Sequence, residues 1–186
     1  MAAAESTTSG LSLSYYMRSF YKSNPSTYKA SARKNYTNTE LSYEDARALK
    51  RAAKELMDYE ISDDDTGEDL YETIQAFVDT YNNTMESSGS VSDRDISRCR
   101  KNLENLTKKY SEELEDIGIN IQDDGSLKIT EGILKGSTAK EIKKAFSKEA
   151  GLMSKTQSLA RRMNRNTYDL LYTELTGNGG RLNITL

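Results

Sequence analysis

Apolar side chains recur at intervals of three and four over most of this chain, which is the signature of amphipathic helices. Ala46, Leu49, Ala53 and Leu56 form a narrow stripe that predicts a helix over about residues 43–60. Ser42 and Asp45 have the spacing of a capping box before it. Leu70, Ile74, Phe77, Tyr81 and Met85 share one face of a second helix over about 67–87, with Val78 widening the stripe and Asp65-x-x-Glu68 at its start. A third helix is expected over about 93–116, capped by Ser92-x-x-Asp95. Ile96, Cys99, Leu103, Leu106, Tyr110, Leu114 and Ile117 form its seam, nearly unbroken in heptad spacing. The second and third helices are joined by the Ser-rich turn at 87–90, so they should pack antiparallel.

After Gly118 the period changes from about 3.5 to 2. Ile119 and Ile121 alternate with polar residues, Asp123-Asp124-Gly125 follows, and Leu127 and Ile129 alternate again, which is a β-hairpin pattern. A two-residue loop would set Ile121 opposite Lys128 and split the apolar face. A three-residue loop of Asp123, Asp124 and Gly125 sets Ile121 opposite Leu127 and Ile119 opposite Ile129, so that loop is expected, with Gly125 in the left-handed region. Thr138-x-x-Glu141 then caps a helix holding Ile142, Ala145 and Phe146. A long helix over about 151–174 follows. Its seam is Leu152, Thr156, Leu159, Met163, Asn166 and Leu170, or shifts onto the neighbouring Met153, Ala160, Thr167 and Leu171. The pattern as a whole predicts a mainly α fold: an elongated antiparallel helical bundle or coiled coil with one small hairpin at about 119–130. Residues 1–25 read as a flexible Tyr-rich segment, 26–176 as the bundle with its hairpin, and 177–186 as a Gly-rich tail.

Composition narrows the chemistry. The 186 residues include no His, no Trp, one Cys and one Pro. Without His there is no Ser-His-Asp triad, no Cys–His pair and no imidazole metal ligand. One Cys excludes an intramolecular disulfide and a thiolate zinc site. Only 35% of the residues are apolar, which favours helices with a single apolar stripe. No apolar run approaches the ~20 residues of a membrane span, and the first residues lack the basic and apolar regions of a secretory signal peptide. No cofactor, metal or enzymatic activity is expected.

Several local clusters suggest chemistry at first sight. Residues 58–72 hold eight acids and no Lys or Arg, but placing Gly67 at position 6 of an EF-hand leaves Thr73 where the bidentate Glu belongs. Gly177-Asn178-Gly179-Gly180 lacks the Lys-Ser/Thr of a phosphate loop. Cys99 sits between Ile96 and Leu103 on the seam and reads as a small buried hydrophobe. Residues 138–186 carry nine basic and four acidic side chains, including Arg161-Arg162-x-x-Arg165. A chain with a pI near 5.2 is not expected to be a dedicated nucleic-acid binder, and this basic part is expected to complement the acidic 58–72 segment, within the chain or between copies. Twelve tyrosines with no Trp is unusual. Tyr15, Tyr16, Phe20, Tyr21, Tyr28 and Tyr36 form a strip in a region poor in aliphatics, and read either as ordinary amphipathic packing or as a docking strip for a partner.

The order of motifs also resembles a known family. Residues 74–88, IQAFVDTYNNTMESS, are similar to the "FV-x-x-YN" helix of the bacterial flagellar filament cap (hook-associated protein 2) family. Leu114-x-x-Ile117-Gly118-Ile119, Asp124-Gly125-Ser126-Leu127, Ala145-Phe146 with Gly151, and Gly180-Arg181-Leu182 look like that family's later segments, in the same order, over about residues 70–183. The resemblance implies a non-enzymatic structural or assembly protein, extracellular and flagellum-associated, exported without a cleaved signal peptide. Its partners would be other subunits, flagellar axial proteins or copies of itself. The alternative is a cytoplasmic helical adaptor or chaperone-like binding module.

Overall fold

Four long antiparallel helices organise the chain. The computed structural model describes residues 11–177. In chain order the elements are α1 (Leu13–Phe20), α2 (Ala30–Arg33), α3 (Asn38–Asp58), α4 (Gly67–Gly89), α5 (Arg94–Lys109), α6 (Ser111–Asp116), β1 (Ile119–Ile121), β2 (Leu127–Ile129), α7 (Glu131–Gly136), α8 (Ala139–Phe146) and α9 (Leu152–Thr176). The fold is mainly α with one small antiparallel hairpin, as the periodicity indicates.

Cross-links between side chains fix the directions of the bundle. Asn38 reaches the Ser90 carbonyl, and Tyr21 joins Asp45 of α3 to Asn83 of α4, so α3 and α4 run antiparallel. Arg100 reaches the Met85 carbonyl, and Tyr81 meets Thr107, so α5 reverses again. α9 runs against both α3 and α5. Thr39 bonds Glu174 and Asn164 bonds the Tyr43 carbonyl, while Asn166 faces Cys99 and the Tyr110 hydroxyl donates to the Ala150 carbonyl. The 25 residues of α9 make it the longest element, about 37 Å at 1.5 Å per residue.

The core is built largely from small side chains. α3 buries Ala46, Ala48, Ala52 and Ala53 around Leu49 and Leu56. α4 buries Thr80, Thr84 and Ser88, whose hydroxyls donate to the carbonyls three or four residues earlier and so need no partner from another helix. Larger groups fill the lower half, where Phe77 packs edge-on against Phe146 of α8.

The helix starts depart from the sequence reading in an instructive way. α3 begins at Asn38, because the capping box is Thr37 with Glu40 and not Ser42 with Asp45. Ser42 and Asp45 are buried inside the helix. At α4 the Asp69 carboxylate takes the Thr66 N–H, one position later than the Asp65–Glu68 pair. Asp93, not Ser92, caps α5 by accepting from the Asp95 and Ile96 N–H groups. The Thr138–Glu141 box is as expected. The motif recurs often in a chain rich in Ser, Thr and acids, and only packing chooses among the copies. The helix expected over 93–116 is two helices that break at Tyr110. The apolar spacing runs straight through that break, since Leu106, Tyr110 and Leu114 all remain buried.

The N-terminal segment is integral to the fold. Residues 11–25, expected as flexible, carry α1, and Phe20 and Tyr21 are 2% and 0% exposed. The Arg51 guanidinium holds the Phe20 carbonyl and Ser23, and the Leu13 N–H donates to Glu72. Residues 26–41, weakly patterned in sequence, contain α2 and the start of α3. Gly177 ends α9 in the left-handed region at φ 71°. Residues 178–186, which include the Gly180-Arg181-Leu182 motif and most of the expected tail, lie outside the described residues, as do residues 1–10.

The hairpin has the register derived above. Ile119 pairs with Ile129 and Ile121 with Leu127, and Gln122 N–H donates to the Ser126 carbonyl, leaving Asp123, Asp124 and Gly125 as the loop. Gly125 has φ 80°. A two-stranded sheet is marginal alone, and here α4 supports it. The Asn82 amide accepts the Leu127 N–H and donates to the Leu127 carbonyl, both at 2.8 Å, so it stands in for a third strand. Asn82→Ala is expected to cost about 1–3 kcal/mol by orphaning both groups. Denaturant titration measures that loss, and faster exchange of the Leu127 amide locates it; unchanged exchange would show that the clasp does not hold the hairpin.

Candidate functional site

The predicted seam residues sit where their spacing puts them, with two exceptions. Leu70, Ile74, Phe77, Tyr81, Ile96, Cys99, Leu103, Leu106, Tyr110, Leu114 and Met163 are buried. Leu159 and Leu170 are only half-buried, because α9 turns Met153, Thr156, Ala160, Met163 and Thr167 inward. A helix wedged between two neighbours buries the ridge facing the groove between them, and small residues there allow the closer approach. The hairpin residues divide: Ile119 and Leu127 are buried, Ile121 and Ile129 half-buried at the edge of the core. Burial raises the Cys99 thiol above its usual range, consistent with a packing role.

The Tyr-rich strip is mostly consumed by its own chain. Phe20 and Tyr21 are core residues. Tyr16 packs on Phe20 and Tyr28 on Tyr21, with ring centres 6.0 and 5.8 Å apart. Tyr36 shares a hydrogen-bond cluster with Ser26 and Asn24. Tyr15 alone of the six is exposed.

Tyr21 belongs to a buried polar network that no local pattern announces. Its hydroxyl donates to Asp45 Oδ1 at 2.7 Å and accepts from Asn83 Nδ2 at 3.0 Å. Arg33 grips both Asp45 oxygens, at 3.0 and 2.9 Å, and also donates to the Thr27 carbonyl. Burial, then the adjacent Asp45 charge, raises the Tyr21 phenol well above its ordinary value. Burial alone would lower Arg33, but the Asp45 hydrogen bonds and charge outweigh it and hold the guanidinium above its usual range. The Asp45 carboxylate thus ties the N-terminal segment to α3, and the Tyr21 hydroxyl extends the link to Asn83 of α4.

The outer face of the bundle collects the exposed chemistry. Lys50 of α3 shares a groove with Ser158, Arg161, Arg162, Asn164 and Arg165 of α9. Arg47 lies beside it, over the Tyr43 ring at 5.8 Å. Lys50, Arg161, Arg162 and Arg165 form no ion pair with any described residue. Partial burial, then the charges of Arg51, Arg47 and Arg161, pull the Lys50 ammonium below its ordinary value. The groove continues into aromatic surface: Tyr43 packs against Tyr168, and Tyr168, Tyr172 and Leu175 are 53%, 55% and 78% exposed. Arg161 and Arg165 were visible in sequence, but Arg47, Lys50 and the exposed stripe depended on which face of α9 turned inward.

The acidic segment finds other partners. Asp63 bonds Lys143 of α8, and Glu68 pairs with Lys135 of α7. With Lys54 pairing Asp58, the acids of 58–72 that form ion pairs among the described residues do so with Lys54, Lys135 and Lys143, so of the basic part at 138–186 it is Lys143 and not the arginines of α9 that takes part. Among the described residues no cluster of three acid or thiol side chains could hold a metal ion, and no helix is long and apolar enough to cross a membrane. No family model, curated protein or solved structure matches this chain.

Two outcomes test the network. Asp45→Ala, which leaves Arg33 and Tyr21 buried without their acceptor, is expected to cost about 3–5 kcal/mol, and replacing Arg33 and Asp45 together by Leu to cost less than the sum of the single changes. Additive losses in denaturant would contradict the pairing. The second outcome concerns alkaline pH. Unfolded phenols ionise near pH 10, whereas Tyr21 is raised and Tyr81 is pushed up to about 12 by burial. Their stabilisation is full below about pH 10 and is lost as pH rises through the folded values, because the unfolded state then binds fewer protons. Tyr81→Phe should make the decline shallower by up to ~1.4 kcal/mol per pH unit in that window; an unchanged slope would remove Tyr81 from the account.

Proposed function

We propose that this chain is a non-enzymatic structural protein that works by forming interfaces with other protein subunits. The observation that carries this reading is the stripe of Tyr168, Tyr172 and Leu175. These three large side chains lie at i, i+4 and i+7 on one helix, more than half exposed, beside arginines that form no ion pair with any described residue. Tyrosine and arginine dominate the energetics of protein interfaces, because they combine large contact area with directional polar groups.

The assembly reading extends to a flagellum-like setting through the motifs. Asn82 of the "FV-x-x-YN" segment clasps Leu127 of the "dGxL" segment, and Ile119 of the "IGI" segment pairs with Ile129. Motifs scattered over fifty residues therefore act as one mechanical unit, which supports treating their shared order as a structural module. On this reading the protein is an extracellular, flagellum-associated subunit exported without a cleaved signal peptide. A cytoplasmic adaptor would use the same stripe.

Fractionation of the producing cell tests the proposal. The tagged protein is expected in sheared surface filaments, and Tyr168→Ser with Tyr172→Ser is expected to release it by weakening the interface about 1–2 kcal/mol per residue, with the helical circular dichroism intact. Confinement of the protein to the cytoplasm favours the adaptor. Retention of the double variant at wild-type level refutes the role of the stripe.

A further inference from the structure

The α3–α9 seam has opposite charges at its middle and at one end. The middle carries Arg47, Lys50, Arg161 and Arg165. At the end, the loop leaving α3 presents Glu60 and Asp64, both exposed and without an ion-pair partner among the described residues, with Tyr59 40% exposed beside them. Tyr59, Glu60 and Ile61 line a cleft with Lys143, which holds Asp63, and with Lys148 and Glu149 just before α9, so the loop closes the same seam and leaves Glu60 and Asp64 as its exposed acids without an ion pair among the described residues. Nine residues separate Lys50 from Tyr59, about 14 Å along the helix direction.

We infer that a second copy of this chain docks its 59–65 loop into the basic groove formed by Lys50, Arg161 and Arg165. Two copies laid antiparallel along this seam bring each acidic loop against the other's groove, so the contact is made twice. A self-complementary surface of this kind closes into a two-fold dimer, the commonest symmetric assembly. The guanidinium fork matches carboxylate geometry, which suits Arg161 and Arg165 to Glu60 and Asp64. Tyr59 supplies a ring that an arginine can stack on. The same acids disfavour nucleic acid: a polyanion tracking along the seam would run into the loop, and the net charge of −3 gives it no long-range attraction. The inference rests on the assembly reading above, but uses the basic groove rather than the adjoining Tyr168–Leu175 stripe.

Sedimentation of the purified full chain tests it. A dimer is expected at concentrations on the order of 10–100 μM in low salt, dissociating as the Debye length shrinks toward about 3 Å near 1 M salt. Arg161→Glu with Arg165→Glu, or Glu60→Lys with Asp64→Lys, should each weaken the dimer by about 100-fold or more through like-charge contacts. All four changes in one chain should restore it, because the charges are complementary again. Circular dichroism confirms the fold, and the milder Arg161→Gln with Arg165→Gln replaces any variant that loses helicity. A wild-type chain that stays monomeric overturns the inference, as does a dimer indifferent to these reversals or a combined variant that is not rescued. Binding of a single-stranded oligonucleotide that Arg161→Glu abolishes would also overturn it, by giving the groove to nucleic acid. None of these failures touches retention through Tyr168 and Tyr172, which the fractionation experiment reads separately.

Discussion

The close approach of α3 to α4 and α9 is the constraint on which the rest of the molecule depends. A chain with 35% apolar residues cannot fill a wide core with large side chains. Here the core is narrow instead. Ala46, Ala48, Ala52 and Ala53 of α3 are buried, as are Thr80, Thr84 and Ser88 of α4 and Ala160, Met163 and Thr167 of α9, the two helices α3 packs against. Dispersion contacts are short-ranged, so small groups packed without gaps recover much of what fewer large groups lose. The hydroxyls of Thr80, Thr84, Ser88 and Thr167 do not penalise this arrangement, because each bonds a carbonyl of its own helix, whereas those of Ser42 and Ser87 are buried without a partner among the described residues.

That narrow core makes the N-terminal segment necessary. α1 packs against both α4 and α3, and its Met17 and Phe20, with Tyr21 at its C-terminal end, join the same apolar cluster. Arg33, Asp45, Tyr21 and Asn83 then hold the segment in one register. Burying an ion pair adds little net stability compared with apolar groups of the same shape, but a misaligned copy would strand a charge, so such a pair is suited to selecting a single packing. The bundle thereby uses inside its own core the aromatics that a sequence reading offers to a partner. Besides Tyr15 and Tyr59, the exposed aromatics are Tyr168 and Tyr172 of α9, beyond the reach of that layer.

Surface charge follows the same division. Lysines of α7 and α8 neutralise part of the acidic loop, while the arginines of α9 lie beside Lys50 with no ion-pair partner among the described residues. Helix packing brings these like charges together: buried alanines let α3 and α9 approach closely, and the Thr39–Glu174 and Asn164–Tyr43 hydrogen bonds hold the pair in register.

Periodicity by itself determined the mainly α class, the buried faces of α4 and α5, and the hairpin with its three-residue loop, because each depends on neighbours within a few residues. The period-2 register of Ile119, Ile121, Leu127 and Ile129 had one solution that kept the apolar face whole. Only the tertiary structure decided which Thr or Ser caps each helix, where the 93–116 helix breaks, which ridge of α9 turns inward, and that Asp45 serves Arg33 rather than a helix start. Those choices are made by partners distant in the sequence: Tyr110 by Ala150, Leu127 by Asn82, Asp45 by Tyr21. A local pattern marks a residue as able to cap, pack or pair, and the free energy that selects among these comes from the groups that surround it once the helices have met.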